Sequence, residues 1–570
     1  MAASANDVHV QRRFFILWII GGSAPEYTSA EVPATVSLPM SKGEEENFST
    51  HDTTPDITDP AVQRERLFSQ EPKMMEAVGL LAARIKALPP DPEHPDLEPR
   101  ALIVGGFVRD ALIGKHPKDA DLEVYGVHPE RLEALLTQLF PGKVDTVGRA
   151  FGILKVFIED GLDFDVSIPR RESKTGAGHT GFAVEGDPAM SIEDAARRRD
   201  FSWNALALDP VTGEVFDYFN GIDDLQNRIL RATDKERFQD DPLRIYRALQ
   251  FAARMGMRVE PETFVLMQEM VVRGDLDELT AERVTEEWKK LLLKSERPSV
   301  GFELARELGI IAKHYPELHA LIDTPQDPKW HPEGDVWIHT MMVADEAAKI
   351  IRQEERGFTE EEKLQVVLGA ICHDLGKPST TSTTEDGRIR SLAHEDAGRE
   401  PTKTMLRRMT FGEDVVNAAV AIAADHLKPG VLHRERTKPS GTPGALDMKG
   451  YTNAVRKVVR HIHPVSWRVL VAAAEADFRG RGIAGVDAGP YEPGIVFAGT
   501  IMEHRLGDAP TRPLIGGKEI MRVAAELGMN LKPGPRFGEL IKKVEEARDN
   551  GEIVTCDEGL VLLRTLLTEL

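Results

Sequence analysis

The stretch ALIVGGFVRDALIGKHPKDADLEVYG, residues 101–126, decides the fold of the first part of the chain. It opens with an apolar run that is typical of a short buried strand, Gly105 and Gly106 break this run, and residues 107–112 begin like a helix. A turn without Cβ atoms lets an anion approach the backbone, and the N–H groups at the start of a helix face that anion. The pattern therefore predicts a phosphate-binding turn, to which Arg109 adds a guanidinium.

The next predicted strand carries two acidic residues, Asp119 and Asp121, separated by one position. Side chains alternate between the two faces of a strand, so these positions place both carboxylates on one side. Two neighbouring carboxylates repel each other unless a cation lies between them, and Mg²⁺ prefers carboxylate oxygens together with substrate phosphates. A turn or a solvated acidic strand is common by itself, but the combination predicts nucleoside triphosphate chemistry.

The two features together resemble the first motif of the class II tRNA nucleotidyltransferase and bacterial poly(A) polymerase family. This resemblance implies a polymerase-beta-like α/β nucleotidyltransferase head, followed by predominantly α-helical neck, HD and tail domains. It also implies that Asp119 and Asp121 are catalytic and hold Mg²⁺, with Glu123 as a neighbour only. A third catalytic carboxylate is expected in the later strand LDFDV, where Asp165 fits best and Asp163 is the alternative.

Two further segments match motifs of the same family. Residues 197–204, RRRDFSWN, match the motif Arg-Arg-Asp-Phe-Thr-x-Asn with Ser202 in place of Thr. The helix 240–258 carries Asp241 and Arg244, three residues apart and therefore on one face. An acceptor beside a donor matches the pairing edges of cytosine and adenine, but not those of guanine and uracil. The resemblance implies the following nucleotide-binding residues: Gly105, Gly106, Arg109, Arg199, Asp200, Asn204, Asp241, Arg244 and Arg247. The basic, Gly-rich residues 169–182 resemble the flexible loop of the family.

A different pattern begins after residue 330. HD-superfamily phosphohydrolases carry metal ligands in the order H…HD…D, and extended sites hold two further histidines. The corresponding residues here are His339, His373, Asp374 and Asp477, with His394 and His426 as the additional ligands. A lone histidine is more often a core residue, but this ordered set predicts a metal site. Imidazole and carboxylate ligands favour a divalent transition metal, Mn²⁺, Ni²⁺, Fe²⁺ or Zn²⁺, and the pattern does not choose among them.

Length and composition set the outer limits. A chain of 570 residues with 41% hydrophobic residues is long enough for several cores. Two cysteines exclude a disulfide scaffold and indicate a cytoplasmic protein. A net charge of −22 argues against non-specific coating of nucleic acid, although a local basic face can still bind RNA. We expect a disordered leader 1–70, with 1–39 upstream of the true start, a head 71–235, a neck 236–329, an HD domain 330–480 and a helical C-terminal domain 481–570.

The resemblance implies template-independent addition of CMP and AMP to the 3′ end of tRNA, with a second phosphohydrolase activity in the HD domain. The expected partners are tRNA, CTP and ATP, with no membrane, and the sequence does not indicate an oligomeric state. Two enzymatic alternatives share every head motif: a poly(A) polymerase, and an enzyme that adds only CC or only A. An alternative of another class is an RNA-binding regulatory protein in which only the HD site is active.

Overall fold

The computed structural model describes residues 56–569 except 93, 118, 146–152, 160, 175–181, 484–488, 508–512, 551 and 554. The first 55 residues of the expected leader and the tip of the basic loop, 175–181, lie outside the described residues. The strands are β1 (Arg100–Val104), β2 (Ala120–Tyr125), β3 (Val144–Asp145), β4 (Ile153–Glu159), β5 (Leu162–Ser167), β6 (Arg170–Lys174), β7 (Phe182–Gly186), β8 (Ala207–Leu208), β9 (Val215–Phe216), β10 (Ile229–Leu230), β11 (Arg258–Val259), β12 (Thr381–Thr383) and β13 (Ile389–Ser391).

Helices dominate the second half of the chain. The helices of the head are α1 (Pro60–Phe68), α2 (Pro72–Lys86), α3 (Gly106–Leu112), α4 (Pro129–Leu139), α5 (Ile192–Arg197), α6 (Gly221–Gln226) and α7 (Lys235–Phe238). The neck helices are α8 (Leu243–Met255), α9 (Pro261–Arg273), α10 (Ala281–Lys294), α11 (Pro298–Glu307), α12 (Ile310–His314) and α13 (Pro316–His319). The helices that follow are α14 (Val336–Ile350), α15 (Glu360–Cys372), α16 (Lys377–Thr380), α17 (His394–Ala397), α18 (Arg399–Arg408), α19 (Glu413–Asp425), α20 (Lys428–Thr437), α21 (Met448–Ile462), α22 (Trp467–Arg479), α23 (Glu492–Glu503), α24 (Gly517–Glu526), α25 (Pro535–Asp549) and α26 (Cys556–Thr568).

A seven-stranded mixed sheet in the order β3-β4-β5-β2-β1-β8-β9 forms the head. β2 and β5 pair in parallel, whereas β2 and β1 pair antiparallel. Side chains of β1 alternate between two apolar layers: Ala101 and Ile103 belong to the main core, and Leu102 and Val104 to a smaller cluster on the other face. The predicted succession of strand, glycine turn and helix is confirmed, because β1 ends at Val104 and α3 begins at Gly106.

The folded part begins before residue 71. Helix α1 starts after Asp59, whose side chain accepts a hydrogen bond from the N–H of Ala61. Leu67 in this helix is completely buried, Ile57 joins the same core, and Arg66 donates to the carbonyl of Leu112 in α3. The prediction of a disordered leader up to residue 70 was therefore wrong for residues 56–70. Residues 56–70 are mostly polar and contain few apolar residues. Their hydrophobic periodicity therefore does not indicate the tertiary contacts that stabilise the segment.

One continuous hydrophobic core runs from the head through the neck and into the following helices. In the neck, α8 packs against α10 and α11. Farther along the chain, α15 packs against α14, α19 and α22. Helix α23 packs on α20, α21 and α22, although the expected boundary at residue 480 assigned it to the C-terminal domain. The last three helices, α24 to α26, enclose a separate apolar cluster.

Within the described residues, one stretch has the length and composition of a membrane span, Glu413–Thr437. It comprises α19 and α20. Of its most apolar window, 61% is buried inside the protein, where side chains such as Val416 and Ile422 belong to the main core. This burial is typical of a core helix.

Candidate active sites

The turn between β1 and α3 requires glycine at its first position. Gly105 has φ +70°, and a Cβ atom there would lie 2.7 Å from Nη1 of Arg199. Its N–H donates to the carbonyl of Leu206 across the sheet. The turn and the Arg199 guanidinium therefore lie against each other, which brings together two of the predicted nucleotide-binding segments. Gly106 is the first residue of α3.

The predicted catalytic carboxylates meet at the edge of the parallel strand pair. Asp121 on β2 is the direct register partner of Asp165 on β5. Asp119 is exposed and stands just before β2 begins. Asp163 lies two residues before Asp165. Its register partner belongs to β4, which pairs antiparallel with β5. Pairing therefore favours Asp165 over Asp163 as the third member of the group.

Negative charge accumulates around Asp121. Desolvation raises the pKa of Asp121, the guanidinium of Arg199 lowers it, and Asp165, Glu123 and Asp119 raise it again. Arg199 donates to Oε1 of Glu123 at 3.1 Å, so Glu123 holds an arginine, as expected for a neighbour of the group. Carboxylates this close to one another favour a bound cation.

Four of the predicted nucleotide-binding residues form one buried network. The guanidinium of Arg109 donates from Nη1 to Oδ1 of Asn204 at 2.7 Å and from Nε to Oδ1 of Asp110 at 2.8 Å. Asn204 donates to Oδ1 of Asp200 at 2.9 Å, and Arg247 on α8 donates from Nε to Oδ2 of Asp200 at 2.7 Å. Arg109 is only 6% exposed, so the structure directs its guanidinium at protein groups and not at the open side of the turn.

Asp241 and Arg244 do not present a free acceptor beside a free donor in this structure. The carboxylate of Asp241 accepts from Nη2 of Arg283 on α10 at 3.0 Å. Arg244 donates from Nη1 to the carbonyl of Arg237 at 2.6 Å and from Nη2 to the carbonyl of Arg198 at 2.5 Å. Each side chain therefore already has protein partners, and Arg244 joins the start of α8 to the head.

The four residues predicted as HD ligands converge in the protein interior. Nε2 of His373 lies 3.3 Å from Nε2 of His339 and 3.0 Å from Oδ2 of Asp374. Nε2 of His339 lies 3.2 Å from Oδ1 of Asp477. All four side chains are buried. His339 comes from α14, His373 and Asp374 from the end of α15, and Asp477 from α22, so helix packing brings the set together.

The two additional histidines join the same cluster. Nε2 of His394 lies 3.4 Å from Oδ1 of Asp374, on the carboxylate oxygen that does not face His373. The ring of His426 lies 5.0 Å from that of His373 and 5.6 Å from that of His394, measured between centroids. The ligand atoms of His373, Asp374 and His426 lie within 4.8 Å of one another.

The second ring nitrogen of each histidine has an acceptor that faces away from the cluster. The Nδ1 contacts are His373 with the carbonyl of Ala370 at 2.6 Å, His394 with that of Ser391 at 2.8 Å, His426 with that of Ala423 at 3.1 Å, and His339 with Oε1 of Glu333 at 2.8 Å. Because a carbonyl only accepts, Nδ1 of the first three rings donates, and the lone pair remains on Nε2 when the ring is neutral. Metal-binding histidines are held in this way.

The cluster fits a divalent metal. Oδ1 of Asp374 and Nε2 of His394 are buried and have no hydrogen-bond partner among the described residues. Burial opposes the charge of Asp374, but His373 and Lys377 hold its pKa well below the usual range, and Nζ of Lys377 lies 2.6 Å from Oδ2. Burial also lowers the pKa of His426 to about 3, which favours the neutral, ligating form. Buried lone pairs without donors are costly unless a cation satisfies them.

A cavity of about 420 Å³ opens onto this cluster. Asp374, Asp477, His394 and His426 line its floor. Its lining also includes three cationic side chains, Lys377, Arg434 and Arg481, and four rings, Trp330, His331, Phe478 and Tyr491. A phosphate ester of nucleotide size is a suitable occupant in volume and charge.

Comparison with known proteins identifies three regions along the chain. Residues 101–231 match the Poly A polymerase head domain, 256–322 match the probable RNA and SrmB-binding site of polymerase A, and 336–451 match the HD domain. The chain is 34% identical over 382 residues to the Multifunctional CCA protein of Stenotrophomonas maltophilia (strain K279a), a match that covers 66% of this chain and 86% of that protein. The chain belongs to the class II tRNA nucleotidyltransferase and poly(A) polymerase family. It is a member of this family that contains an HD domain.

Other members of the tRNA nucleotidyltransferase family show similar agreement. The Multifunctional CCA protein of Paraburkholderia phytofirmans (strain DSM 17436 / LMG 22146 / PsJN) is 35% identical over 384 residues, which cover 66% of this chain and 85% of that protein. A crystal structure of the Bacillus stearothermophilus CCA-adding enzyme in complex with CTP is 21% identical, with a TM-score of 0.52 over 88% of this chain and 100% of that one. At this identity the likeness confirms the fold alone.

The structure adds to these sites several residues to which the motifs assigned no role. Lys155 on β4 lies between two carboxylates of β5, with Nζ 2.9 Å from Oδ1 of Asp165 and 3.2 Å from Oδ1 of Asp163. Arg283 holds Asp241, and Glu333 contacts His339. The alternation of β4 could have indicated Lys155, since it places Lys155 opposite Asp165. Nothing in the spacing of Arg283 or Glu333 names its partner, because each contact joins separate elements.

Proposed function

We propose that this protein adds CMP and AMP, from CTP and ATP, to the 3′ end of tRNA, as CCA addition or repair. The observation that carries the proposal is the register pairing of Asp121 with Asp165, with Asp119 next to β2 and the glycine turn on the adjacent strand. The two relatives described above are named Multifunctional CCA proteins, which supports the same reaction. Two cysteines in the whole chain are consistent with a cytoplasmic enzyme.

In this proposal the head residues divide into two groups. Asp119, Asp121 and Asp165 hold Mg²⁺, while the glycine turn and Arg199 receive the triphosphate. Bound Mg²⁺ supplies charge neutralisation at the phosphates and lowers the pKa of the attacking RNA 3′-hydroxyl. The chain of hydrogen bonds from Arg109 through Asn204 and Asp200 to Arg247 fixes the turn relative to the neck helix, because the first three of these side chains are buried.

Base selection in this proposal requires an exchange of partners at the start of α8. Asp241 leaves Arg283 to accept from the exocyclic amine of the base, and Arg244 leaves the carbonyls of Arg198 and Arg237 to donate to the ring nitrogen. Guanine and uracil present the opposite groups at these positions. A mismatch would leave buried polar groups unpaired, at about 1 to 3 kcal/mol each.

We propose a second, independent reaction in the HD domain: hydrolysis of a phosphate ester with a divalent transition metal bound by His339, His373, Asp374 and Asp477, and with His394 and His426 as further ligands. The unpartnered oxygen of Asp374 and nitrogen of His394 support this assignment. A 2′,3′-cyclic phosphate at a damaged tRNA end is a suitable substrate, because nucleotide addition needs a free 3′-hydroxyl. Lys377 and Arg434 in the cavity wall suit the phosphate.

The proposal for the head is tested with tRNA that lacks its 3′ end and with each NTP, alone and combined. CCA addition requires CMP incorporation with CTP alone and completion with ATP. Incorporation of long AMP runs would indicate a poly(A) polymerase, and a product that ends after CC, or addition of A alone to tRNA ending in CC, would indicate a partial enzyme. Asp119→Ala and Asp121→Ala should abolish addition and leave tRNA binding nearly intact. No incorporation by the wild type would leave the regulatory alternative.

The HD proposal is tested with the double variant His373→Ala/Asp374→Ala. It should lose hydrolysis of 2′,3′-cyclic AMP in the presence of Mn²⁺ or Ni²⁺ and retain CMP addition within a few-fold. Loss of CMP addition in a normally folded double variant would show that the two sites are coupled. Absence of hydrolysis by the wild type with any of Mn²⁺, Ni²⁺, Fe²⁺ and Zn²⁺ would contradict the HD proposal.

A further inference from the structure

Three of the four clustered histidines are oriented by backbone. His373, His394 and His426 each place Nδ1 against the carbonyl of the residue three positions earlier. His373 and His426 cap the C-terminal ends of α15 and α19. The last carbonyls of a helix lack intrahelical partners, so they are free to accept from these rings.

His339 stands in a different backbone setting. It lies in the first turn of α14, where its own N–H donates to the carbonyl of Asp335. The orphan groups at this end of a helix are N–H donors, which cannot accept from an imidazole N–H. Its Nδ1 is instead 2.8 Å from Oε1 of Glu333, with the carbonyl of Gly480 farther away at 3.3 Å. His339 is therefore the one histidine of the four whose nearest Nδ1 contact is a side chain, while the Gly480 carbonyl also accepts from this nitrogen.

Glu333 is held in place for this contact. Its side chain is only 2% exposed, and Oε1 also lies 2.9 Å from Nδ1 of His331 in the cavity wall. Oε2 is buried without a hydrogen-bond partner among the described residues. A buried carboxylate with one unsatisfied oxygen is unfavourable for stability by itself, so a role in the site is a specific explanation for it.

We propose that Glu333 is a positioning residue for the HD metal site: its carboxylate holds the Nδ1–H of His339 and directs Nε2 of that ring at the metal. This inference rests on the proposed metal site and adds a residue that acts through a ligand. A charged acceptor makes a stronger hydrogen bond than a carbonyl, and it makes the imidazole a better donor to the metal. His331 shares the carboxylate and thereby fixes its position.

The test measures metal affinity directly. Mn²⁺, Ni²⁺, Fe²⁺ and Zn²⁺ are each titrated calorimetrically into metal-free full-length protein, as wild type, Glu333→Gln and Glu333→Asp. Loss of such an outer partner weakens metal binding by about 10- to 100-fold, and we expect this loss for Glu333→Gln. Glu333→Asp keeps the charge and should recover part of the affinity. The melting temperature of the metal-free protein reports whether the variants fold.

Glu395→Gln is the matched control. The carboxylate of Glu395 lies 3.4 Å from Nδ1 of His394, but that nitrogen already has the carbonyl of Ser391 at 2.8 Å. The same loss of charge should therefore change metal affinity by less than about threefold, since the ring stays oriented. Equal weakening by Glu395→Gln would indicate a general charge effect and would overturn the inference.

The outcomes separate the two levels of the proposal. A wild type that binds none of Mn²⁺, Ni²⁺, Fe²⁺ and Zn²⁺ overturns the proposed HD metal site. A wild type that binds metal while folded Glu333→Gln binds it equally tightly overturns the role of Glu333 and leaves the metal site standing. If Glu333→Gln does not fold, Glu333→Asp decides the question. Its shorter side chain moves the carboxylate, so a metal affinity equal to that of the wild type would contradict the role of Glu333.

Discussion

Asp121 and Asp165 stand directly opposite each other in the parallel pairing of β2 and β5. Neighbouring strands lie about 4.8 Å apart, so one cation can contact both carboxylates. Asp163 is on the same face of β5 but two residues earlier, and its register partner is Phe157 on β4. The sheet register thus distinguishes two aspartates that the sequence pattern alone leaves as alternatives.

The first prediction exploits this difference. Asp165→Asn should lower the rate of CMP addition by about 100-fold or more, because a metal contact contributes several kcal/mol and each 1.4 kcal/mol is a factor of ten. Asp163→Asn should lower it by less than about tenfold. The comparison is matched, since Lys155 contacts both carboxylates. Single-turnover kinetics at saturating Mg²⁺ measure the effect, and a larger loss in Asp163→Asn would reverse the assignment.

The second prediction concerns base selection by Arg244. Arg244→Ala removes the donor to the ring nitrogen, so selection of CTP over UTP should fall by about tenfold or more, equivalent to one unsatisfied polar group. Asp240→Ala should have a smaller effect, because Asp240 is a partly exposed neighbour that pairs with Arg237. Incorporation of each NTP under competing conditions is the measurement. Full discrimination by folded Arg244→Ala would place the base pocket elsewhere.

The third prediction is a pH dependence of stability that arises from Asp200. Burial by itself raises the pKa of this carboxyl, but Arg247 and hydrogen bonds from Asn204 and the Phe201 N–H hold it below the ordinary value of 3.8. The unfolded state therefore binds the proton more readily, so the stabilisation is complete above about pH 4 and is lost as the pH falls through the folded-state pKa. The Asp200→Asn variant should melt at a lower temperature than the wild type near neutral pH. On acidification its melting temperature should fall less than that of the wild type.

Melting temperatures of wild type and Asp200→Asn between about pH 5 and pH 3 test this expectation. The difference between the two proteins should shrink toward the acidic end. A constant difference over this range would show that Asp200 does not titrate with a lowered pKa.

The fourth prediction tests helix α1 as part of the folded head. Leu67→Ala should destabilise the protein by about 2 to 5 kcal/mol, because this fully buried side chain leaves a cavity against α3. Phe68→Ala is the control next to it, since Phe68 is 42% exposed and should cost about 1 kcal/mol or less. Scanning calorimetry compares the two variants. If Leu67→Ala and Phe68→Ala both had equally small effects on stability, residues 56–70 would belong to the disordered leader.

Prediction from sequence succeeded where the deciding interactions are local. The glycine turn after β1 and the position of Asp163 and Asp165 on one face of β5 follow from backbone sterics and the strand period, and the structure confirms both. The six HD candidates were predicted from the resemblance of their order to that of HD-superfamily proteins, and helix packing brings them into one cluster. Helix α1 was missed because its stability depends on contacts with α3 and not on its own periodicity.

The sequence by itself determined which residue types can hold metals and phosphates, and on which faces of their strands and helices they stand, because these properties depend on residues a few positions apart. Only the tertiary structure decided which partner each charged group takes. Arg109 is turned to Asn204, Asp241 is held by Arg283, and Glu333 reaches His339. Long side chains can reach several neighbours of similar energy, so the choice among them is made by the packing of elements that lie far apart in the chain.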